Sequence, residues 1–161
     1  MCKFHLSRRR FLTVVSPGFV AALSGCFEGA STGPAEVRWG REFCDYCGMI
    51  IDNPRFAAQI RGGDPRKLWK FDDVSCGVLW RARQSWENEE KTEFWVGNSA
   101  TGKWIDGKKA YYLSGMKSPM GYDYGAVAEP KDGALTFEAY RDRVIAGGSR
   151  SECVTSSLVR N

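Results

Sequence analysis

The sequence predicts an α+β domain, two small strand–strand–helix–strand units packed as one compact body. Three observations carry that prediction. Short β-branched and aromatic runs are bounded by turn residues, two segments carry apolar residues at helical spacing, and the order Met, strand, helix occurs twice. Met49, Phe56-Ala57-Ala58 and Phe71-Asp72 are echoed by Met120, Ala126-Val127-Ala128 and Phe137-Glu138.

Taken in order, residues 49–51 and 56–61 read as two strands, with Asp52-Asn53-Pro54 turning between them. Residues 67–71 make a further strand. Asp72 or Asp73 then caps a helix over 74–83, with Val74, Val78 and Leu79 on its apolar face. Residues 92–96 form the next strand, ended by Gly97-Asn98. Residues 110–113, ended by Ser114-Gly115, and 125–128 form two more. A second helix covers 135–144, with Phe137, Tyr140 and Val144 inward. Only residues 153–159 remain to supply a last strand for the second unit.

At 161 residues the chain has room for one moderate core. Residues 1–25 read as an export signal. Arg8 and Arg9, in Ser7-Arg8-Arg9-Arg10-Phe11-Leu12, fit the twin-arginine pattern, followed by an apolar stretch over 11–23. At ~1.5 Å of rise per residue that stretch is too short for a ~30 Å hydrocarbon core. It reads as a signal peptide rather than a membrane span. Leu23-Ser24-Gly25-Cys26 resembles a lipobox, so Cys26 is the expected lipidated N-terminus of a chain anchored to a membrane on the periplasmic side. Residues 26–38 then form a flexible linker, 39–150 the folded domain and 151–161 a C-terminal tail.

The signal also explains the charge. The chain is +4, but Lys3, Arg8, Arg9 and Arg10 fall within residues 1–25, which hold no acid. Of 23 basic and 19 acidic residues, 19 of each remain after it. A neutral domain has no electrostatic footprint for nucleic acid. The only histidine, His5, lies in the signal as well. Without imidazole no nucleophile–base–orienter set can form, and hydrolase or transferase chemistry has no support. The six tryptophans, six tyrosines and nine phenylalanines read as core area.

Sulfur is what remains. Cys44-Asp45-Tyr46-Cys47-Gly48-Met49 places two thiols and a thioether within six residues. Soft ligands without imidazole favour Cu(I) over harder divalent ions. Met120, between Pro119 and Gly121, sits in a loop rather than an element and is a candidate distant ligand; Met116 is a weaker one. Cys76, on the first helix, is a further candidate whose simplest state is a buried inert thiol, and Cys153 lies in the polar tail. Three other readings of the Cys-x-x-Cys stay open. A zinc knuckle wants a second ligand pair, which the sequence does not show. A thiol–disulfide redox pair wants a helix start after the motif, where this chain reads as strand. A structural disulfide is the third, in an oxidising compartment with four cysteines left to pair.

These motifs together resemble the NosL family, lipoprotein accessory factors of nitrous oxide reductase maturation. The carriers are Cys44 to Ile51, Phe71-Asp72-Asp73-Val74-Ser75-Cys76, Trp104-Ile105-Asp106, Ala110-Tyr111-Tyr112-Leu113 and Ser118-Pro119-Met120-Gly121. The resemblance implies paired strand–strand–helix–strand units similar to part of alkylmercury lyase. It also implies delivery of Cu(I) to apo nitrous oxide reductase or another exported cuproenzyme. By motif, Cys44, Cys47 and Met49 would form the core of the copper site and Met120 the contribution of the second half.

Overall fold

The computed structural model describes residues 32–86 and 90–158. The expected signal with Arg8 and Arg9, and Cys26, lie outside them. The elements run β1 (Ala58–Gly62), β2 (Lys67–Phe71), α1 (Val74–Arg81), β3 (Glu93–Gly97), β4 (Trp104–Asp106), β5 (Tyr111–Ser114), β6 (Tyr124–Val127) and α2 (Phe137–Leu158). The class is α+β, as the alternation of short strands and two helices predicts.

The larger sheet has the order β2-β1-β3-β4 and is antiparallel throughout. β1 is buried along its whole length because both of its faces are covered. Strand side chains alternate. Ala58 and Ile60 turn inward with Phe71, Phe94 and Val96 to meet α1. Gln59 and Arg61 turn to the opposite face, where residues 33–37 lie. Gln59 donates to the Ala35 carbonyl and accepts from the Ala35 N–H, both at 2.8 Å, and Arg61 donates to the Gly33 carbonyl at 3.2 Å. Val37 is buried at the end of this strap. The expected linker over 26–38 is therefore shortened: its last residues are fastened to the sheet because β1 carries a buried amide that needs a backbone partner.

β5 and β6 form a separate hairpin. It joins the larger sheet through a parallel bridge between Asn98 and Ala126, where the Ser99 N–H donates to the Ala126 carbonyl at 2.8 Å. α2 packs against α1 and β5. Tyr140 of α2 stacks on Tyr112 of β5 with ring centroids 3.8 Å apart and planes 7° from parallel. Its hydroxyl lies 2.9 Å from Ser75 Oγ of α1. Phe137, Tyr140 and Val144 are all buried, as their helical spacing predicts.

Two expectations are corrected and one strand is added. Residues 49–51 are not a sheet strand. They turn back on 42–44, held by Cys44 N–H to the Met49 carbonyl and Ile51 N–H to the Glu42 carbonyl, each at 2.8 Å. Their apolar run imitates a strand while closing a narrow hairpin with one bridge, Phe43 to Ile50. Residues 153–158, where the last strand was expected, are helical: α2 runs to Leu158, so among the described residues the second unit is strand–strand–helix. β4 was not expected as a strand, because its three residues, Trp104–Asp106, are too few to show a period. Among the described residues no helix is long and apolar enough to cross a membrane.

Candidate metal centre

The hairpin over 43–50 brings the two close cysteines onto one side. Gly48 is required at its tip for conformation. Its φ is +76°, a region L side chains avoid, while a Cβ there would meet nothing within 4 Å. The glycine thus supplies backbone freedom and relieves no clash. The two residues between the thiols act as clamps. Asp45 exchanges hydrogen bonds with β2, its N–H to the Lys70 carbonyl at 2.9 Å and its carboxylate from the Lys70 N–H at 2.7 Å. The Tyr46 ring lies under the Arg83 guanidinium, 4.9 Å away, and its hydroxyl accepts from Arg83 at 3.1 Å. The hairpin is fixed to the sheet on one side and to the end of α1 on the other.

So fixed, Cys44 and Cys47 face the start of α1. The sulfurs of Cys44, Cys47 and Cys76 and a carboxylate oxygen of Asp72 all lie within 4.8 Å of one another. The three cysteines are free thiols; Cys44 and Cys76 are buried and Cys47 is half-buried. Two adjacent acids divide the work at the helix start. Asp73 is the N-cap, accepting from the Ser75 N–H at 2.8 Å. That frees the buried Asp72 to accept a hydrogen bond from the Cys47 thiol at 3.3 Å. Sequence reasoning assigned both acids to capping and treated Cys76 chiefly as an inert thiol. The available signal was the Asp72–Cys76 spacing of one helical turn.

The thiols are unequal. The Cys44 sulfur accepts from the Cys76 thiol, and the backbone N–H groups of Cys47, Asp72 and Tyr46 add to this against the cost of burial. Its pKa is lowered to about 7. Burial, followed by the neighbouring Cys44 and Asp72, pushes Cys47 up to about 12. Cys76, as donor to Cys44 and itself buried, is pushed far above the usual thiol range. One thiolate is thus ready at neutral pH beside two thiols that keep their protons until something replaces them.

The methionines are placed differently. Met49, at the lip of the hairpin, is 56% exposed, and Met120 is 37% exposed. The Met120 N–H donates to Asp73 Oδ2 at 3.2 Å, which holds its loop at the same end of α1 as the cluster. Tyr122 of that loop is pushed up to about 12 by burial and by the nearby Cys76, Tyr46, Asp73 and Cys47. The Met116 sulfur lies over Gly125, where an added Cβ would come within 2.3 Å of it. Ser99 lies beside the same glycine, its Cβ 3.0 Å from that position.

Fold and site together define a small α+β domain with a preassembled cluster of three thiols and a carboxylate, a group of side chains that could hold a metal ion. The chain belongs to the NosL family, whose family model matches residues 37–142. A solved structure, that of the copper chaperone NosL from Shewanella denitrificans, is similar at 17% identity and a TM-score of 0.49, over 63% of this chain and 84% of that one. No curated protein matches the chain.

Proposed function

We propose that this protein is a Cu(I) metallochaperone, exported by the twin-arginine route, lipid-anchored through Cys26 and facing the periplasm, which delivers copper to apo nitrous oxide reductase or another exported cuproenzyme. The observation that carries the reading is the meeting of Cys44, Cys47 and Cys76 in one preassembled cluster. Three thiols without imidazole suit a soft monovalent ion. Family membership and the export and lipidation motifs support the recipient and the location.

The gradient of exposure suits transfer. Cu(I) as cargo displaces thiol protons on binding. Cys44 and Cys76 hold it from the buried side, while Cys47, Met49 and Met120 stand toward solvent. An incoming ligand of the recipient can replace the outer sulfurs one at a time without opening the core.

The test is anaerobic. Reduced protein carrying one Cu(I) is mixed with apo nitrous oxide reductase, and copper is followed after separation. Transfer faster than to an unrelated apo-cuproprotein is expected. Retention by the donor, or equal transfer to both, would leave storage in place of delivery.

A further inference from the structure

Among the described residues five large apolar side chains are exposed: Trp39, Phe43, Met49, Ile50 and Met120. Four of them fall within residues 39–50, so the exposure is gathered rather than scattered. Gathered apolar surface marks a contact with a protein or a membrane. The candidate copper site accounts for Met49 and Met120. It leaves Trp39, Ile50 and Phe43, the last 63% exposed, without a role.

The hairpin separates the two groups. The Cys44 N–H to the Met49 carbonyl and the Ile51 N–H to the Glu42 carbonyl flank the Phe43–Ile50 bridge. Phe43 and Ile50 are thus a non-hydrogen-bonded pair, with side chains close together on one face. Strand side chains alternate, so Cys44, Met49 and the buried Ile51 turn to the other face, the side of the metal centre. Phe43 and Ile50 form the hairpin's outer face. Its charges do not oppose burial there. The acids over residues 38–50 are Glu42 and Asp45. Glu42 is paired with Arg38 at 3.1 Å and Lys70 at 2.6 Å, and Asp45 accepts from the Lys70 N–H at 2.7 Å. Arg38 and Arg41 are exposed beside these apolar residues in the chain.

The place where the tether begins chooses the occupant. Gly33 is fastened to the sheet, its N–H donating to Glu93 Oε2 at 2.7 Å and its carbonyl accepting from Arg61 at 3.2 Å. Cys26 is seven residues earlier, so an acyl chain on it holds Gly33 within about 25 Å of the lipid surface. Trp39 is six residues further on, within about 22 Å of Gly33. A face tethered so closely meets lipid at the high effective concentration of a short linker, and weak apolar contact is enough. A freely diffusing partner or second copy has no such advantage.

We propose that the outer face of the hairpin, Phe43 and Ile50 with Trp39 beside them, rests in the interfacial layer of the anchoring membrane, with Arg38 and Arg41 at headgroup level. This rests on the reading of Cys26 as a lipid anchor. Aromatic rings and long basic side chains are the groups that settle at that depth. The thiols lie on the opposite face of the same hairpin, so docking leaves them in water and fixes the direction in which they meet a recipient.

Trp39 reports the contact. The lipidated protein is placed in phosphatidylcholine vesicles whose acyl chains are plain or brominated near the headgroup, since bromine quenches tryptophan emission on contact. Quenching is expected in the wild type and should be largely lost in Trp39→Phe. It should fall by at least about half in Phe43→Ser/Ile50→Ser, because interfacial binding scales with the apolar area buried. Both positions are exposed, and circular dichroism checks the fold of the double variant. A second arm mixes Cys26→Ser protein with an excess of the same vesicles, where weaker binding with the same dependence on Phe43 and Ile50 is expected. Vesicle-bound lipidated protein without quenching, or with equal quenching in the double variant, would overturn the proposal. So would a dimer, or copper transfer to apo nitrous oxide reductase, that the double variant disrupts while quenching stays unchanged. The face would then belong to a second copy or to the recipient. Wild-type protein whose mass shows no acyl group on Cys26, with quenching intact in the second arm, would sink the anchor reading alone and leave the lipid-binding face standing.

Discussion

The two halves of the molecule share an order of elements but divide the labour. In the first, β1, β2, α1 and β3 form a complete strand–strand–helix–strand unit with three thiols and a carboxylate at the head of its helix. In the second, β5, β6 and α2 supply aromatic mass: Tyr112 stacks on Tyr140, which meets Ser75 of α1. The second half reaches the centre through one loop, where the Met120 N–H is held by Asp73 and Tyr122 packs beside the core. One half carries the thiol cluster and the other packs against the helix that helps to form it. A repeated fold can thus specialise by placing chemistry on a single copy and packing on its twin.

The largest effects should come from the first half. Cys44→Ser removes the thiol that, among the described cysteines, is lowered to about 7, and should weaken Cu(I) by more than the roughly 10–100-fold that loss of an outer-shell partner costs. A chelator competition measures it. In the metal-free wild type, one step of ultraviolet thiolate absorbance should fall near pH 7, since Cys44 is lowered to about 7 while Cys47 is raised to about 12. That step should vanish in Cys44→Ser. A step that persists would place the ready thiolate elsewhere.

A substitution at the junction of the halves separates holding from binding. Tyr140→Phe leaves the ring stack but strips Ser75 Oγ of its buried partner, a loss of about 1–3 kcal/mol. Urea unfolding of the metal-free protein should show it, with Cu(I) affinity little changed. A large drop in affinity at unchanged stability would mean that the second half tunes the ligands directly.

At the hairpin tip, Gly48→Ala forces a side chain into φ +76° and should cost about 1–2 kcal/mol of strain, with no clash to add to it. Both stability and copper affinity should fall, because the strained turn positions the thiols. A loss in affinity alone would show that the turn is already loose without metal.

The smallest expected change is in the second half's own contribution. Met120→Leu nearly conserves volume and should alter stability by less than about 1.5 kcal/mol. Copper affinity should weaken modestly, measured alongside Met49→Leu. No change in either variant would confine the ligands to the cysteines.

These contrasts explain what was legible in the sequence. The helix faces were readable because Val74, Val78 and Leu79, and then Phe137, Tyr140 and Val144, keep helical spacing and are buried for that reason. Cys44 and Cys47 were readable as a pair because their closeness is local. Cys76 was not, since only the pairing of β1 with β2 carries the head of α1 to the hairpin. Asp72 and Asp73 look alike as neighbours. Only the fold shows which caps Ser75 and which meets Cys47. Met49-Ile50-Ile51 misled because apolar residues that close a hairpin share their composition with a sheet strand. The strap over 33–37 was hidden for the opposite reason: small residues suggest a linker, while its anchor is the buried Gln59 on β1.

The central claim is that copper is held by a three-cysteine cluster rather than by Cys44-x-x-Cys47 and methionines alone. Cys76→Ser decides it, because Cys76 is wholly buried and comes from a different element. In anaerobic Cu(I) competition with the reduced protein, one ion per wild-type chain and at least about tenfold weaker binding in the variant are expected. Folding is checked in parallel by far-ultraviolet circular dichroism. Unchanged affinity in a folded Cys76→Ser protein would contradict the account.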